Sequence, residues 1–256
     1  MAVNLPSRIA ERVLPDYRGT EIDHVRVNRR YVYRVDGRDL PTVTTILKVI
    51  DKSGPLVGWA RKDALDKMED ELGERGSVDY ETRAEFRRGI QDRVYAELNV
   101  ARDQGTAAHA AIMALLQGDS PDMPEEVAPA ATAALSAIEG LNWAPLDTEV
   151  MLWHPHLDYG GTFDLLVAQE DGRLAIVDWK RSSGLYPEHA YQAAAYVRAL
   201  NALGVENLDA FVVKLPRIPE EVYEVREVNV PAAFSVFMGA RELFLAAGQH
   251  SKELWK

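Results

Sequence analysis

The stretch Leu174–Lys180, with the sequence LAIVDWK, decides the fold. Its first four residues are apolar, so a strand formed here would be buried on both faces, as in the centre of a sheet. Side chains alternate along a strand, which places Asp178 and Lys180 on one face at its C-terminal end. Because isolated buried charges are costly, these two residues require further partners or a metal.

A second strand is predicted over Thr162–Ala168 (TFDLLVA), and it also carries a carboxylate, Asp164. If the two strands pair through the turn at Glu170–Gly172, Asp164 and Asp178 lie on neighbouring strands and point into one cleft. Two carboxylates beside Lys180 suit phosphodiester hydrolysis assisted by a divalent metal, because Mg²⁺ prefers oxygen ligands. Lys180 would position the attacking water or stabilise the developing charge. The alternative is a structural ion pair at a strand end.

The order of the predicted elements indicates an α/β fold. Strands over Thr148–Trp153, Thr162–Ala168 and Leu174–Lys180 are followed by a helix over Pro187–Leu203 and a strand over Asp209–Leu215. This order is typical of a mixed central sheet flanked by helices.

The N-terminal part has a different pattern. The dipeptide Asp36-Gly37 between two strand-like runs predicts a β-hairpin. Charged helices are expected over residues 56–100, and Gly105-Thr106 predicts a break before a new helix. We therefore expect residues 1–100 to form an N-terminal β-hairpin and helical elaboration, packed on a core that covers residues 101–256.

The composition limits the chemistry that is available. The chain has 256 residues and no cysteine, which excludes disulfides, thiolate zinc sites, iron–sulfur clusters and cysteine nucleophiles. Any metal must therefore use oxygen and imidazole ligands. The net charge of −11 opposes indiscriminate binding to phosphates, although it allows a nucleic-acid enzyme whose basic residues are local. With no signal sequence and no apolar run of membrane-spanning length evident, we expect a cytoplasmic protein without membrane contact.

Five short motifs follow one another along the second half of the chain. Each is common alone, but their order and spacing are specific. They are G-T-x-x-H (Gly105–His109), a strand carboxylate (Glu149), G-G-T-F-D (Gly160–Asp164), V-D-W-K (Val177–Lys180) and Q-x-x-x-Y (Gln192–Tyr196). Over residues 100–200 the set resembles the RecB-type, exonuclease-like branch of the PD-(D/E)XK nuclease superfamily. This resemblance implies a restriction-endonuclease-like core, here without an iron–sulfur cluster.

The resemblance implies a role for each matching residue. His109, Asp164 and Asp178 would bind one or two Mg²⁺ or Mn²⁺ ions, with the backbone carbonyl of Trp179 as a further ligand. Lys180 would be the catalytic lysine.

The remaining motif residues would complete the cleft. Gln192 and Tyr196, four residues apart on one helical face, would contact the DNA backbone or orient the segment around Lys180. Glu149 matches a strand carboxylate that some members place near the metals, and the alternative is an exposed glutamate without a role. Many members have Thr or Ser directly after the lysine, whereas this chain has Arg181 and then Ser182.

Arg181 and Ser182 are therefore candidates for DNA contacts, and so are Arg30 on the first hairpin and Arg61 in the helical segment. Basic residues close to aromatic ones in this part of the chain suit a channel for single-stranded DNA, where bases stack and phosphates are neutralised. The alternative is a solvated charged surface with aromatic packing beneath it.

The resemblance implies a Mg²⁺- or Mn²⁺-dependent deoxyribonuclease. More specifically, it implies an exonuclease that acts on DNA ends or single strands in recombination, repair or phage DNA processing. DNA would be the main partner, and a helicase or an annealing protein a further one. The encoding genome would be bacterial, archaeal or phage. Three alternatives remain: a structure-specific or defence endonuclease, a catalytically idle DNA-binding scaffold, and a hydrolase of small phosphoesters.

Overall fold

The computed structural model describes residues 20–27, 30–50, 63–64, 66–68 and 83–250. The chain divides into two compact units, one formed by residues 1–49 with 107–256 and the other by residues 50–106. The domain boundary expected at residue 100 stays a prediction. His109, Glu149, Asp164, Asp178 and Lys180, which form the candidate site, all belong to the first unit.

The N-terminal strands form a small antiparallel sheet. Strand β1 (Ile22–Val27) pairs with β2 (Arg30–Val35), and β2 pairs with β3 (Arg38–Pro41). The predicted turn is present between β2 and β3, where Asp36 and Gly37 have φ values of 48° and 74°. Two successive residues with positive φ are the requirement of a tight type I′ turn, which Asp-Gly meets at little cost. The expected hairpin is thus part of a three-stranded sheet.

A short helix joins this sheet to the larger one. Helix α1 (Val43–Leu47) begins after Thr42, whose side chain accepts a hydrogen bond of 3.0 Å from the backbone N–H of Thr45. This is the usual way to satisfy an unpaired donor at a helix start. Thr42 also forms a parallel β-bridge with Gly160 of the larger sheet.

Helix α2 (Arg83–Leu116) runs without interruption through Gly105-Thr106, so the predicted break is wrong. A glycine in a helix costs about 1 kcal/mol relative to alanine, which packing readily offsets. Within the helix, the hydroxyl of Thr106 donates a 3.2 Å hydrogen bond to the carbonyl of Arg102, the usual partner of a threonine hydroxyl in a helix interior. His109 consequently lies well inside a long helix and not in a first turn.

The larger sheet has five strands in sequential order. All neighbouring strands pair antiparallel except β6 and β7, which are parallel. The strands are β4 (Ala144–His154), β5 (Tyr159–Ala168), β6 (Leu174–Lys180), β7 (Leu208–Lys214) and β8 (Glu224–Glu227). The predicted mixed sheet is therefore confirmed, with β6 at its centre.

Helices flank the sheet, as expected. The end of α2 and the Ala-rich helix α3 (Ala128–Gly140) pack on β5, β6 and β7 through a continuous apolar cluster. Helix α4 (Pro187–Ala202) is the crossover that the parallel pair β6–β7 requires. Helix α5 (Val230–His250) packs against α4 and α1.

Helix α5 differs from the sequence expectation that no apolar run reaches membrane-spanning length. Over Val230–Gly248 its mean hydropathy is 1.4 and 22% of the window is buried, so by length and composition it could cross a membrane. Its contacts tie it to the sheet. Phe237 is fully buried against the ring of Tyr159, and Arg241 donates a 2.7 Å hydrogen bond to the carbonyl of Leu157.

A buried histidine closes strand β4 at the turn toward β5. The Nδ1 atom of His154 accepts a hydrogen bond of 3.2 Å from the backbone N–H of His156. Burial, followed by the nearby His156 and Arg241, lowers the pKa of His154 to about 4. The neutral ring is therefore the form that the fold stabilises.

Protonation of His154 should destabilise the protein in acid. Since the folded pKa is depressed below the ordinary 6.5, the unfolded chain binds more protons between pH 6.5 and 4, and stability falls as the pH drops through that window. We expect His154 to contribute a loss of about 1–2 kcal/mol, less than the full shift implies because solvent near the turn screens the charge. Other groups titrate in the same range, so the contribution is measured as the difference in pH dependence between wild type and His154→Gln, from urea unfolding at pH 7 and pH 4.5.

In this experiment His154→Gln should remove that part of the pH dependence, whereas His156→Gln, at an exposed position, should retain most of it. Equal pH dependence in wild type and His154→Gln would contradict the assignment.

Candidate functional site

Strands β5 and β6 separate where the chemistry-bearing residues lie. Their backbone pairing ends at Leu165 and Val177. Beyond this point the Oδ2 atom of Asp164 accepts a 2.7 Å hydrogen bond from the backbone N–H of Trp179, in place of a backbone carbonyl. Asp164 and Asp178 thus lie on neighbouring strands, as predicted, and the side chain of Asp164 closes the gap between them.

Helix α2 contributes an imidazole to this end of the sheet. The Nδ1 atom of His109 lies 3.3 Å from Oδ1 of Asp164 and 3.8 Å from Oε1 of Glu149. One potential ligand atom from each of the three residues lies within 4.8 Å of the others. Their side chains are 25%, 11% and 36% exposed, respectively, so the cluster opens to solvent. Two carboxylates and an imidazole in this arrangement could hold a divalent cation.

The backbone at Glu149 is unusual for a strand. It lies on β4 between the pairs Thr148–Leu165 and Val150–Phe163, opposite Asp164, and has a φ of 50°. A non-glycine residue in this region costs of order 1 kcal/mol and persists only where the surroundings enforce it. This conformation accompanies a carboxylate that lies in the cluster, and the role of Glu149 stays a prediction.

The buried pair on β6 has unsatisfied bonding capacity. Nζ of Lys180 lies 2.7 Å from Oδ2 of Asp178, whose side chain is only 1% exposed. The contact does not have hydrogen-bond geometry, and among the described residues neither oxygen of Asp178 accepts a hydrogen bond. Burial raises the pKa of Asp178 to about 6 against the attraction of Lys180. A buried carboxylate in this state is expensive unless a further ligand completes it.

The pKa values of His109, Asp164 and Lys180 are shifted by the charges of their neighbours in the site. Burial by itself would lower the pKa of His109, but Asp164 and Glu149 raise it to about 10. Burial likewise opposes ionisation of Asp164, yet the charge of His109 holds its pKa below the ordinary value. For Lys180, burial is outweighed by Asp178 and Asp164, so its pKa lies above the ordinary value. In this state the protonated His109 and the ammonium of Lys180 offset only part of the negative charge of the three carboxylates, and a bound cation could replace the proton on His109.

Two adjacent glycines allow aromatic rings to approach strand β5 closely. A Cβ atom on Gly161 would overlap Cε1 of Tyr196, and one on Gly160 would lie 2.7 Å from Cγ of Tyr33. The G-G part of the motif is thus explained by close approach from both α4 and β2. Tyr196 accepts a 2.9 Å hydrogen bond from Nε2 of Gln192. Burial, followed by the charge of Asp178, raises the pKa of Tyr196 well above its ordinary value, which places this ring beside the site.

One contact of the site was not anticipated from the sequence. The hydroxyl of Tyr33 lies 2.8 Å from Oγ1 of Thr162, two residues before Asp164. The two residues are 129 positions apart, and no local pattern marks the pairing. The only signal in the sequence is the pair of adjacent glycines, Gly160 and Gly161, which allows large side chains to pack closely against strand β5.

The predicted DNA contacts stay predictions. Arg181 donates hydrogen bonds to the carbonyls of Arg217 at 2.9 Å and Glu126 at 3.4 Å. The hydroxyl of Ser182 donates to the carbonyl of Gly184 at 2.7 Å. Both residues therefore also stabilise the loops that follow β6.

The other proposed contacts are only partly described. Arg30 begins β2, but its side chain lies outside the described residues, and so does Arg61 altogether. The role of the Trp179 carbonyl as a ligand also stays a prediction, although its N–H is bound to Asp164.

Comparisons with known proteins identify no family for this chain. No family model matches. No curated protein matches either. Among solved structures, LHK-Exo in complex with dAMP aligns with a TM-score of 0.34 and 17% identity over 53% of this chain and 74% of that one. Another structure of LHK-Exo, an alkaline exonuclease from Laribacter hongkongensis, gives a TM-score of 0.31 at 13% identity, over 55% and 80% of the two chains.

A protein from Eubacterium rectale, provisionally named an exonuclease, aligns with a TM-score of 0.41 and 12% identity over 56% of this chain and 66% of its own. At these scores and identities the likenesses do not identify the activity.

The close approach of Tyr196 makes Gly161 sensitive to substitution. Gly161→Ala should force the strand or the ring to move, at a cost of about 1–3 kcal/mol of unfolding free energy, as overpacked cores show. Gly239→Ala is the matched control, because nothing lies within 4 Å of a Cβ atom there and alanine favours the helix. Urea denaturation of both variants measures the difference, and an unchanged midpoint for Gly161→Ala would contradict the packing described here.

Proposed function

We propose that this chain is a divalent-metal-dependent deoxyribonuclease that hydrolyses phosphodiester bonds. The observation that carries the proposal is the arrangement at the diverging ends of β5 and β6. A cluster of His109, Glu149 and Asp164 opens to solvent there, beside the buried pair Asp178 and Lys180. Carboxylates, an imidazole and a lysine at one strand end suit hydrolysis of a polyanion better than a structural role alone.

The donor atoms of the site fit a hard divalent cation. His109, Glu149 and Asp164 would hold it, and Asp178, with no hydrogen bond to either oxygen among the described residues, provides a further carboxylate next to them. Oxygen donors suit Mg²⁺, and the imidazole extends the choice to Mn²⁺. A bound cation of this kind would polarise the phosphodiester and neutralise charge that develops during hydrolysis.

Lys180 acts in this proposal as a positive charge and a hydrogen-bond donor. Its pKa lies above the ordinary value because Asp178 and Asp164 outweigh burial, so the group is an ammonium at neutral pH and cannot accept a proton. It can orient an attacking water or the scissile phosphate, and it stabilises negative charge on the phosphate oxygens. Asp178 fixes the position of the ammonium through the 2.7 Å contact.

The finer assignments extend the same proposal. An exonuclease acting on DNA ends or single strands, in recombination, repair or phage DNA processing, agrees with the motif resemblance. A helicase or an annealing protein would be a suitable partner of such an enzyme, and a bacterial, archaeal or phage protein in the cytoplasm a suitable setting. A structure-specific or defence endonuclease would use the same residues, and cleavage of a closed circular single strand distinguishes it.

Metal binding should depend on the three-residue cluster. Mn²⁺ added to the wild-type protein should raise its melting temperature by a few degrees, because a ligand at 100 times its Kd stabilises a fold by about 2.7 kcal/mol. Asp164→Asn should abolish this shift, since it removes the carboxylate nearest His109.

Loss of the free Mn²⁺ signal in electron paramagnetic resonance gives an independent measure of the same binding. Glu221→Gln is the control, because this carboxylate pairs with Arg217 outside the cluster. Undiminished Mn²⁺ binding by Asp164→Asn would show that the ion lies elsewhere.

Cleavage should require the buried pair on β6. A 50-nucleotide end-labelled DNA, single-stranded or duplex, should be degraded in Mg²⁺ or Mn²⁺ and left intact in EDTA. Lys180→Ala and Asp178→Asn should lower the rate by at least roughly 10²–10³-fold, as the loss of one preorganised stabilising group does.

Lys214→Ala provides the matched control for Lys180→Ala. Lys214 is the register partner of Lys180 on the neighbouring strand β7, but its contact is to Glu221. The Lys214→Ala variant should cleave DNA at a rate within about ten-fold of the wild-type rate. No metal-dependent cleavage by folded wild-type protein that binds DNA would leave the DNA-binding scaffold as the function, and turnover of nucleotides alone would favour the small-phosphoester hydrolase.

A further inference from the structure

One face of the N-terminal sheet carries a row of stacked rings that leads from solvent to the site. Register places His24 opposite Tyr33, and Arg26 opposite Tyr31, so these four side chains share a face. The ring centroids of Tyr31 and His24 are 5.0 Å apart, and those of His24 and Tyr33 are 4.7 Å apart and nearly parallel. We refer to Tyr31, His24, Tyr33 and Arg26 as the aromatic ledge.

The inner end of the ledge is attached to the site. Tyr33 is buried and its hydroxyl contacts Thr162, two residues before Asp164 on β5. The charge of Glu149 also acts on the Tyr33 hydroxyl and contributes to its raised pKa, after the larger effect of burial. The ledge therefore continues directly into the cluster that the proposed function assigns to the metal.

The outer end of the ledge is open. Tyr31 is 55% exposed, and His24 and Arg26 are exposed as well. The guanidinium of Arg26 lies 6.0 Å from the centre of the Tyr31 ring. A large aromatic ring held in place by a neighbouring ring and a cation, but left in solvent, offers a preformed stacking surface.

Charge is segregated between the two faces of this sheet. The carboxylates within the three strands, Asp23 and Asp39, both lie on the opposite face, where Arg34 is their register partner. Among the strand residues, the ledge face therefore carries cations and rings without a carboxylate, and Asp158, which lies outside this sheet, pairs with Arg38 on that face. This contrasts with the net charge of the chain, which is −11. Such a face fits a flexible polyanion with exposed aromatic groups.

We propose that the aromatic ledge binds single-stranded DNA and guides it to the cluster on β5, with bases stacked on Tyr31 and a phosphate neutralised by Arg26. This inference rests on the proposed function for the identity of the substrate. Unpaired bases expose both π-faces, whereas bases in a duplex are already stacked, so the ledge selects single strands over duplex.

Binding is measured by fluorescence anisotropy with labelled dT20 and with a blunt duplex of equal length, in EDTA so that no cleavage occurs. Tyr31→Leu keeps an apolar side chain in the sheet but removes the ring, and it should weaken dT20 binding roughly ten-fold while duplex binding stays unchanged. Tyr31→Trp should restore dT20 binding. Arg26→Gln should weaken dT20 binding, and the matched control Arg34→Gln, on the opposite face, should not.

A second measurement uses the unaltered protein. Ultraviolet crosslinking to a single strand that contains 5-iododeoxyuridine should label the tryptic peptide Tyr31–Arg34. Either of two results would contradict the proposal that the ledge binds single-stranded DNA. One is crosslinks confined to other peptides, and the other is equal dT20 binding by wild type and Tyr31→Leu proteins that have equal melting temperatures.

The two proposals fail in different ways. Cleavage in Mg²⁺ by a Tyr31→Leu protein that binds dT20 like wild type would leave the nuclease intact and overturn the ledge. Ledge-dependent dT20 binding without any metal-dependent cleavage by wild type would support the ledge and overturn the nuclease.

Discussion

Burial of the charged pair at the end of β6 is the constraint on which the site depends. A central strand that is apolar on both faces can end in Asp178 and Lys180 only if their charges are compensated inside the protein. The ammonium of Lys180 pairs with the carboxylate of Asp178. The carboxylate of Asp164 accepts a hydrogen bond from the backbone N–H of Trp179 and lies next to the imidazole of His109. The oxygens of Asp178 remain without a hydrogen bond among the described residues. A buried carboxylate without hydrogen bonds is costly, and a cation bound beside it would reduce that cost.

Strand β5 connects this electrostatic constraint to the rest of the unit. Its two glycines admit the ring of Tyr196 from α4 and the ring of Tyr33 from β2, and three residues later it supplies Asp164. Because Gly160 and Gly161 have no Cβ atom, helix α4 and the small sheet can approach strand β5 this closely. Since interiors are close-packed, a side chain at either position would displace an aromatic ring or the strand that carries Asp164.

The sequence predicted the parts of the fold that local pattern determines. The bounds of β6, Leu174–Lys180, agree with the prediction because apolar residues and terminal charges mark both ends. The break at Gly105 was wrong because tertiary packing decides it, and Ile112 and its apolar neighbours on α2 pack into the sheet in spite of the glycine. The positive φ of Glu149 and the contact between Tyr33 and Thr162 depend on partners far away in sequence, and no periodicity records them.

The net negative charge of the chain and its proposed polyanionic substrate are compatible because electrostatics in salt solution is local. At physiological ionic strength the Debye length is about 8 Å, so a strand on the ledge is screened from carboxylates on distant surfaces. The groups close enough to act on such a DNA strand are Arg26 and the aromatic rings of the ledge and, at its inner end, the cluster of His109, Glu149 and Asp164. That cluster repels phosphate unless a cation occupies it. Metal binding and substrate entry are therefore coupled through charge, and the ledge can hold a single strand before the metal binds, since its own attraction is independent of the carboxylates.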